Sequence, residues 1–578
     1  MSETIGLSRM IPIAVVDPRL EPYGDLYPVL KSAKKITQRS YPANGVSSTS
    51  ITFSIVPPNP NTYISRMFKI EVPFRIQLAC AAMPGPYPQY ILEPRRCSIR
   101  SNPIQKGLIN MSMVLNGDSV QMPIGDVLSA MEHYSISSEM RQVDNSLTAT
   151  YTSHCQNFED LKDCNLSSMA LACDDIAGAD PHAFPFTVPV QQTQDGAGAA
   201  LSYIDCVSVE KLYLSPLYVG SACDEAHALY GVKNIDINLS FYTNAAARMI
   251  CIDQASAPAK DPAVTLSLAF KEFATAFTAG GPWSYSLSQE PRLLLTYLTP
   301  QDNDLNARED KVLSYPYFNT VVHKKVLAAG VVGKAPAIST ITDNVIANSY
   351  PARIGIWARE NNNGLLTDPY RPDCFMQINS LVAAIGNVVG IFSNAQQAQL
   401  YQIAVKNGCT LSWWEWSGHG MNKNEGSDDF GLAAFQHSGT GSIFMFDGSD
   451  YGMELLSAPG KQENTMISAE LNVRNMSSST RNYDLYTMIV TQGLYQLYEG
   501  QVYRKVGVLS SKDIAFARTQ ARGEQLSYCE VKAQYGGNFL TVLRDGILGI
   551  AKNKRVQGCV KGALGAGVAE RVSLRDRI

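Results

Sequence analysis

Two stretches of the chain carry the same order of hydrophobic signals. In Cys374–Gly418 the apolar runs Phe375–Val382 and Asn387–Phe392 are of strand length and meet at Ala384-Ile385-Gly386. Ser393-Asn394 then stands where a helix N-cap belongs, with Gln396 and Gln397 in the first turn. Leu400, Ile403 and Ala404 repeat at helical spacing, and Lys406-Asn407-Gly408 closes the helix with a basic last turn and a C′ glycine. The dense aromatic run Leu411–Trp416 reads as a further strand. Upstream, Leu108–Leu115 is strand-like, Asn116-Gly117 is a hairpin turn, and a short strand runs through Val120 and Met122. Asp126 then caps a helix with Val127, Leu128 and Met131 on its apolar face. Identity between the two units is negligible, so what repeats is the architecture, in tandem.

The remaining pattern is that of an all-β chain. Strands are expected at Ser50–Val56, Met67–Phe74, Ile76–Cys80, Tyr203–Leu214, Ile235–Tyr242, Arg248–Ile252, Val264–Phe270 and Arg292–Leu298. A second series follows at Asn319–Ala328, Arg353–Ala358, Ile443–Phe446, Met466–Val473 and Leu485–Leu497. The polar, charged segment Gln301–Asp310 separates the two series, and Tyr315-Pro316-Tyr317-Phe318 opens the second. Residues 1–49 read as an extended arm, since Pro12, Pro18, Pro22, Pro28 and Pro42 bar a long helix. Lys31, Lys34, Lys35 and Arg39 form a small basic cluster on it. Arg141–Leu201 and Gly418–Gly441 read as long polar loops, and a loop as long as the first is usually a surface feature with a task. The expected division is an arm (1–49), a first β unit (50–305), a second (306–508) and a tail (509–578).

Composition excludes several classes. A net charge of −4 over 578 residues does not suit a nucleic-acid clamp. Cys155, Cys164 and Cys173 are spaced too widely for a metal site and read as free thiols, or at most a labile bridge, of an intracellular product. Ile11–Val16 is too short for a signal peptide and is stopped by Asp17-Pro18, and the apolar runs are too short for a spanning helix. Gly330-Val331-Val332-Gly333-Lys334 has the wrong glycine spacing for a phosphate loop, and Ala335 replaces the metal-binding hydroxyl. The seven His include no pair at i, i+4. No catalytic, cofactor or metal site is expected. Trp413, Trp414 and Trp416 read as a buried strand. The competing reading makes them a sugar platform in a carbohydrate-binding or carbohydrate-cleaving β-sandwich.

In order and spacing, five segments resemble the double jelly-roll major capsid proteins of virophages and polinton-like viruses. They are FSIVPPNPNTYISRMFKIEVPF (53–74), NGDSVQMPIGDVLSAMEHY (116–134), PRLLLTYLTP with YPYF (291–318), DPYRPDCFMQINSL (368–381) and AQLYQIAVKNGCTLSWWEWSG (398–418). The resemblance implies two tandem eight-stranded jelly rolls and a structural role. It implies a homotrimer acting as a pseudo-hexagonal capsomer among neighbouring capsomers, in an icosahedral shell around double-stranded DNA assembled inside the host cell. A single jelly-roll vertex (penton) protein and a maturation protease are the other implied partners. Gln534-Tyr535-Gly536-Gly537 followed by Asn538 resembles the cleavage motif of adenovirus-type maturation proteases, which places a cut between Gly537 and Asn538. From Asn538 to Ile578 there are eight Lys/Arg against three Asp/Glu, so the released or internal tail is basic and suited to packaged DNA or a membrane surface.

Overall fold

The computed structural model describes residues 33–58, 62–80, 97–100, 102–135, 150–151, 191–194, 200–217, 228–252, 283–300, 313–327, 338–361, 375–417, 441–452, 458–475, 482–498 and 500–520. Eight main strands build the first roll: β1 (Lys35–Pro42), β2 (Ser50–Ile55), β3 (Lys69–Cys80), β4 (Leu108–Leu115), β5 (Asp118–Met122), β6 (Ala200–Lys211), β7 (Ile235–Phe241) and β8 (Arg292–Thr299). They pair antiparallel in two sheets, β1-β8-β3-β6 and β2-β7-β4-β5, with shorter strands at the margins. Inward residues alternate with outward ones: Ile70, Val72, Phe74 and Ile76 on β3, and Ile235, Ile237, Leu239 and Phe241 on β7, fill the space between the sheets.

The second roll repeats this plan. Its strands are β9 (Leu313–Val326), β10 (Ile338–Ala347), β11 (Arg353–Glu360), β12 (Gln377–Ile385), β13 (Val388–Ile391), β14 (Ile443–Asp447), β15 (Thr465–Arg474) and β16 (Tyr483–Tyr498). They form the sheets β9-β16-β11-β14 and β10-β15-β12-β13. Each neighbour relation of the first roll recurs between strands numbered eight higher, the strand order of a jelly roll. The helix α1 (Ile124–Ser135) follows β5, and α2 (Gln397–Lys406) follows β13 at the matching place. The β4–β5 hairpin turns at Asn116 and Gly117, whose φ values of +48° and +91° give the turn its left-handed residues. Among the described residues every strand ladder stays within 33–300 or within 313–506.

The structure departs from the sequence reading in several places. Residues 35–46, assigned to the arm, belong to the first sheets: β1 pairs with β8 along its whole length, and Gly45–Val46 pairs with β2. β1 is an edge strand, mostly exposed, so its sequence carries little alternation to read. β10 was missed for a related reason. It too is an edge strand, and Asp343 stands among its inward residues Ile341, Val345 and Ala347. Asp343 is buried there because Thr487 Oγ1 donates to its carboxylate at 2.7 Å, beside His323 at 3.3 Å. The two runs at 67–80 are one strand, and Ala246–Met249 is helical ahead of a short strand Ile250–Ile252. The aromatic run forms a helical turn, α3 (Trp413–Trp416), in place of a strand. Trp413 and Trp416 fall at i and i+3, a spacing that suits one helical turn. Val264–Phe270 lies outside the described residues, as does most of 141–201; Thr150–Tyr151, Gln191–Gln194 and the start of β6 are strands.

The expected tail also begins within the fold. After the strand β17 (Gln501–Val506), Leu509 bridges Lys461, and Ile514 of α4 (Ser511–Gln520) is buried.

Strand direction gives each roll two unlike ends. Odd-numbered strands run one way and even-numbered strands the other. The connections β3–β4 (81–107), β5–β6 (123–199), β7–β8 (242–291) and β13–β14 (392–442) therefore leave from one end. The opposite end carries shorter ones, such as 116–117 and 386–387. Lys34, which bonds Thr299 O, and Leu509, which bonds Gly460 O, also lie at that opposite end.

The buried face of α2 gives a test. Leu400 and Ala404 are fully buried, Ile403 is half-buried, and the rest of the helix is largely exposed. Leu400→Ala should lower stability by about 2–5 kcal/mol in urea denaturation. A loss below ~1 kcal/mol would mean that the helix does not complete the second core.

Candidate functional site at the junction of the two rolls

Three strands of the sheet β9-β16-β11-β14 are buried on both faces over most of their length. All eight residues of β11, all five of β14 and the first nine of β16 are buried, whereas β15 alternates along its length. A strand covered on both sides must be apolar, or internally satisfied, at every position. The second cover is the first roll, chiefly α1, in which every residue except Asp126 is buried.

One charged side chain crosses the junction near the start of α1. Arg359, at the end of β11, is fully buried. Its Nη1 donates to Gly125 O at 3.0 Å, and its Nη2 donates to Tyr486 Oη at 3.3 Å and lies 3.5 Å from Asp126 Oδ1. The guanidinium sits over the Tyr486 ring at 5.1 Å, and Trp357 stacks on that ring at an interplanar angle of 13°. A desolvated guanidinium is tolerable only with such a set of acceptors around it. Gly125 itself is required by the packing of α1 on its own roll, because a Cβ there would fall 2.3 Å from Leu108 O. Burial, and then the Asp126 charge, push the nearby Tyr242 hydroxyl up to about 12.

The far end of α1 is held as well. Tyr134 Oη donates to Ala404 O of α2 at 2.7 Å, and Thr410 N donates to Tyr134 O at 2.8 Å. The His133 ring meets Phe375 edge-on at 5.6 Å. Burial holds the Tyr134 hydroxyl well above the usual phenol range, with Cys409 adding to the effect, so it stays a donor.

A second set of contacts joins the opposite ends of the rolls. Arg504 on β17 donates to Ser119 O at 2.8 Å, lies 3.7 Å from Asp118 on β5 and covers the Tyr317 ring at 5.8 Å. Burial raises the Asp118 carboxyl against the pull of Arg504. Tyr315 Oη donates to Ala228 O at 3.0 Å and accepts from Tyr230 N at 3.1 Å, while Phe318 N donates to Ser215 Oγ at 3.0 Å. Like ends meet like ends, so the rolls stand side by side with the same polarity.

The comparisons with known proteins follow the same two-part division. The description "Sputnik virophage major capsid protein 1st domain" fits residues 12–272, and "Major capsid protein V20 C-terminal domain" fits residues 315–493. Together these matches span well over half of the chain, one on each roll. The chain belongs to the virophage-type major capsid proteins. It is 23% identical over 550 residues to the "Putative capsid protein V20" of Sputnik virophage, covering 92% of this chain and 85% of that protein. A chain in the cryo-EM structure of the Sputnik virophage shares the fold, with a TM-score of 0.74 at 22% identity over 91% of this chain and 99% of its own length. The mavirus major capsid protein crystal structure shares it with a TM-score of 0.59 at 14% identity, over 89% and 100%.

This capsid protein, like its relatives, is a structural component of a virion and not an enzyme. Trp413 and Trp416 serve its core, and the side chain of Trp414 lies outside the described residues. Trp416 is fully buried with Nε1 donating to Ile443 O at 2.9 Å, and Trp413 stacks on it at 26° while meeting Tyr401 edge-on. A sugar platform needs exposed ring faces, so the carbohydrate reading loses its main support. Gly537 and Asn538 lie outside the described residues. Pattern reading missed Arg359. The visible signal was the charge of Arg359 directly after the apolar stretch 354–358 of RIGIWARE, which suits burial on both faces.

Arg359→Ala removes the central bond of the junction and leaves its partners unsatisfied. The expected loss is about 3–5 kcal/mol. Calorimetry should then resolve two transitions where the native chain shows one. A single transition at the native midpoint would contradict this role.

Proposed function

We propose that this capsid protein is a prefabricated third of a capsomer. Three copies associate into a ring of six rolls, and these pseudo-hexagonal tiles cover an icosahedral shell enclosing double-stranded DNA. The supporting observation is the repeat itself: two rolls of one topology, side by side, with like ends together. A heterologous contact that recurs by rotation closes into a ring. Residues 33–300 and 313–506 are the units of this construction.

The end carrying the long connections faces outward, and the end where Lys34 enters and α4 begins faces the interior. That orientation puts Lys34 on the side of packaged DNA, and in this reading the basic cluster Lys31, Lys34, Lys35 and Arg39 and the basic tail serve to neutralise phosphates. In this reading a maturation protease cuts between Gly537 and Asn538. The paired glycines let the backbone lie extended in a protease cleft. A separate single jelly-roll protein fills the five-fold vertices.

Light scattering of the purified protein at neutral pH should give the mass of three chains. A stable monomer under those conditions would refute the reading. Mass spectrometry of mature particles checks the processing step: a chain ending at Gly537 is expected, and an intact Ile578 in infectious particles would rule the cut out.

A further inference from the structure

The outer face of the sheet β10-β15-β12-β13 changes character along its length. On β15 the residues Ile467, Ala469, Leu471 and Val473 fill the second core, so Met466, Ser468, Glu470 and Asn472 point out. Asn472 is tied to Thr340 and to Ser380 by bonds of 2.8 Å, and that end of the face is polar and satisfied. The other end is apolar. Met466 is 56% exposed and stands opposite Ile346, which is 70% exposed. On the far side of Met466, Gly386 N donates to its carbonyl. Val388 opposite Ile385 and Ile391 opposite Ala383 both face the core, so Val389 points out, and it is 77% exposed. Ile346, Met466 and Val389 form an apolar strip across the sheet, at the end with the short turns.

The chain leaves the fold beside this strip. Gly507 lies against Ser349, just past Ile346, and Leu509 bridges Lys461, just ahead of Met466. α4 starts there, at Ser511. Beyond Gln520 the sequence offers a segment of matching shape. Phe539, Leu543, Ile547 and Ile550 recur at helical spacing behind Asn538, a good N-cap. Gly546 and Gly549 weaken such a helix in isolation, so its apolar face needs a surface to form against. The dimensions agree. A helix rises about 16 Å from Phe539 to Ile550, and four strands side by side span about 14 Å. Residues 521–538 can reach up to about 60 Å, well beyond the ~33 Å of a ten-residue strand. Charge agrees as well. Glu470 is exposed on the same face, while residues 538–555 carry Arg544, Lys552, Lys554 and Arg555 against Asp545.

We propose that the apolar face of residues 539–550 seats across the strip formed by Ile346, Met466 and Val389 of its own chain. The occupant is this segment because the chain emerges next to the strip, has the length to reach it, and carries an apolar face of the strip's own span. The seated segment covers Met466 in the uncut chain. Neither the ring of six rolls nor the cut after Gly537 is needed for this seating. A cut there would leave the segment held by contact alone.

Photocrosslinking tests it. The uncut chain, purified without protease, carries a benzophenone amino acid in place of Met466. Capture within the chain leaves the mass of one chain on a denaturing gel, and capture between chains doubles it. The expected product has the mass of one chain, with the probe joined to a peptide from 539–555. A probe at Val207, 47% exposed on the first roll, should not capture that peptide. Leu543→Asp combined with Ile547→Asp should lower the yield at least ~10-fold, since a charge is costly to bury on an apolar strip. The melting midpoint of that variant should stay near native. Capture of a second copy, capture no greater than at Val207, or an undiminished yield in the double variant would overturn the seating.

Discussion

A buried guanidinium joins the two halves of this molecule. Arg359 leaves the second roll, crosses the junction and ends at the first turn of α1, on Gly125 O and beside Asp126. Burying such a charge costs several kcal/mol unless acceptors and opposite charge surround it, and here the two Nη nitrogens carry the bonds across the junction. Gly125 offers its carbonyl, Tyr486 offers a ring face and a hydroxyl, and Trp357 backs that ring. Directional bonds of this kind fix an angle where apolar packing alone would permit sliding. Arg504 and Tyr315 do the same at the opposite end, so the rolls are held at two separated points.

That rigidity gives the family resemblance a physical meaning. A jelly roll manages its own core, as the alternation in β3, β7 and β15 shows. It leaves outer faces that need cover or water. Within the chain, one outer face of the second roll is covered by α1. A capsid tile has to offer such faces again to its neighbours, in fixed directions. Two rolls of equal polarity, locked together, present them in directions set by the fold.

Much of the fold was legible in the sequence. The strand–turn–strand–helix unit appears twice, and both copies occupy matching sheet edges. Asn116-Gly117 marked its turn through the left-handed backbone it needs. What escaped were strands whose inward faces are not purely apolar, or whose outward faces carry little pattern. β1 is a mostly exposed edge, and β10 points Asp343 inward against Thr487. Trp413 and Trp416 sit at a spacing that fits a helical turn as well as a strand, and only the tertiary bond from Trp416 to Ile443 O shows which was taken. The junction was harder to read. Arg359 looks like an ordinary charge in an apolar strand, and its partners Gly125 and Asp126 lie in the other roll, far away in sequence.

One chain is a single rigid unit because of this junction. Pulsed electron–electron spin resonance can measure it directly, with spin labels carried on non-natural residues at the exposed positions Val56 and Ile346, one on each roll. The account predicts one narrow distance distribution, unchanged between the free protein and assembled particles. A broad distribution in the free protein that narrows only on assembly would contradict it.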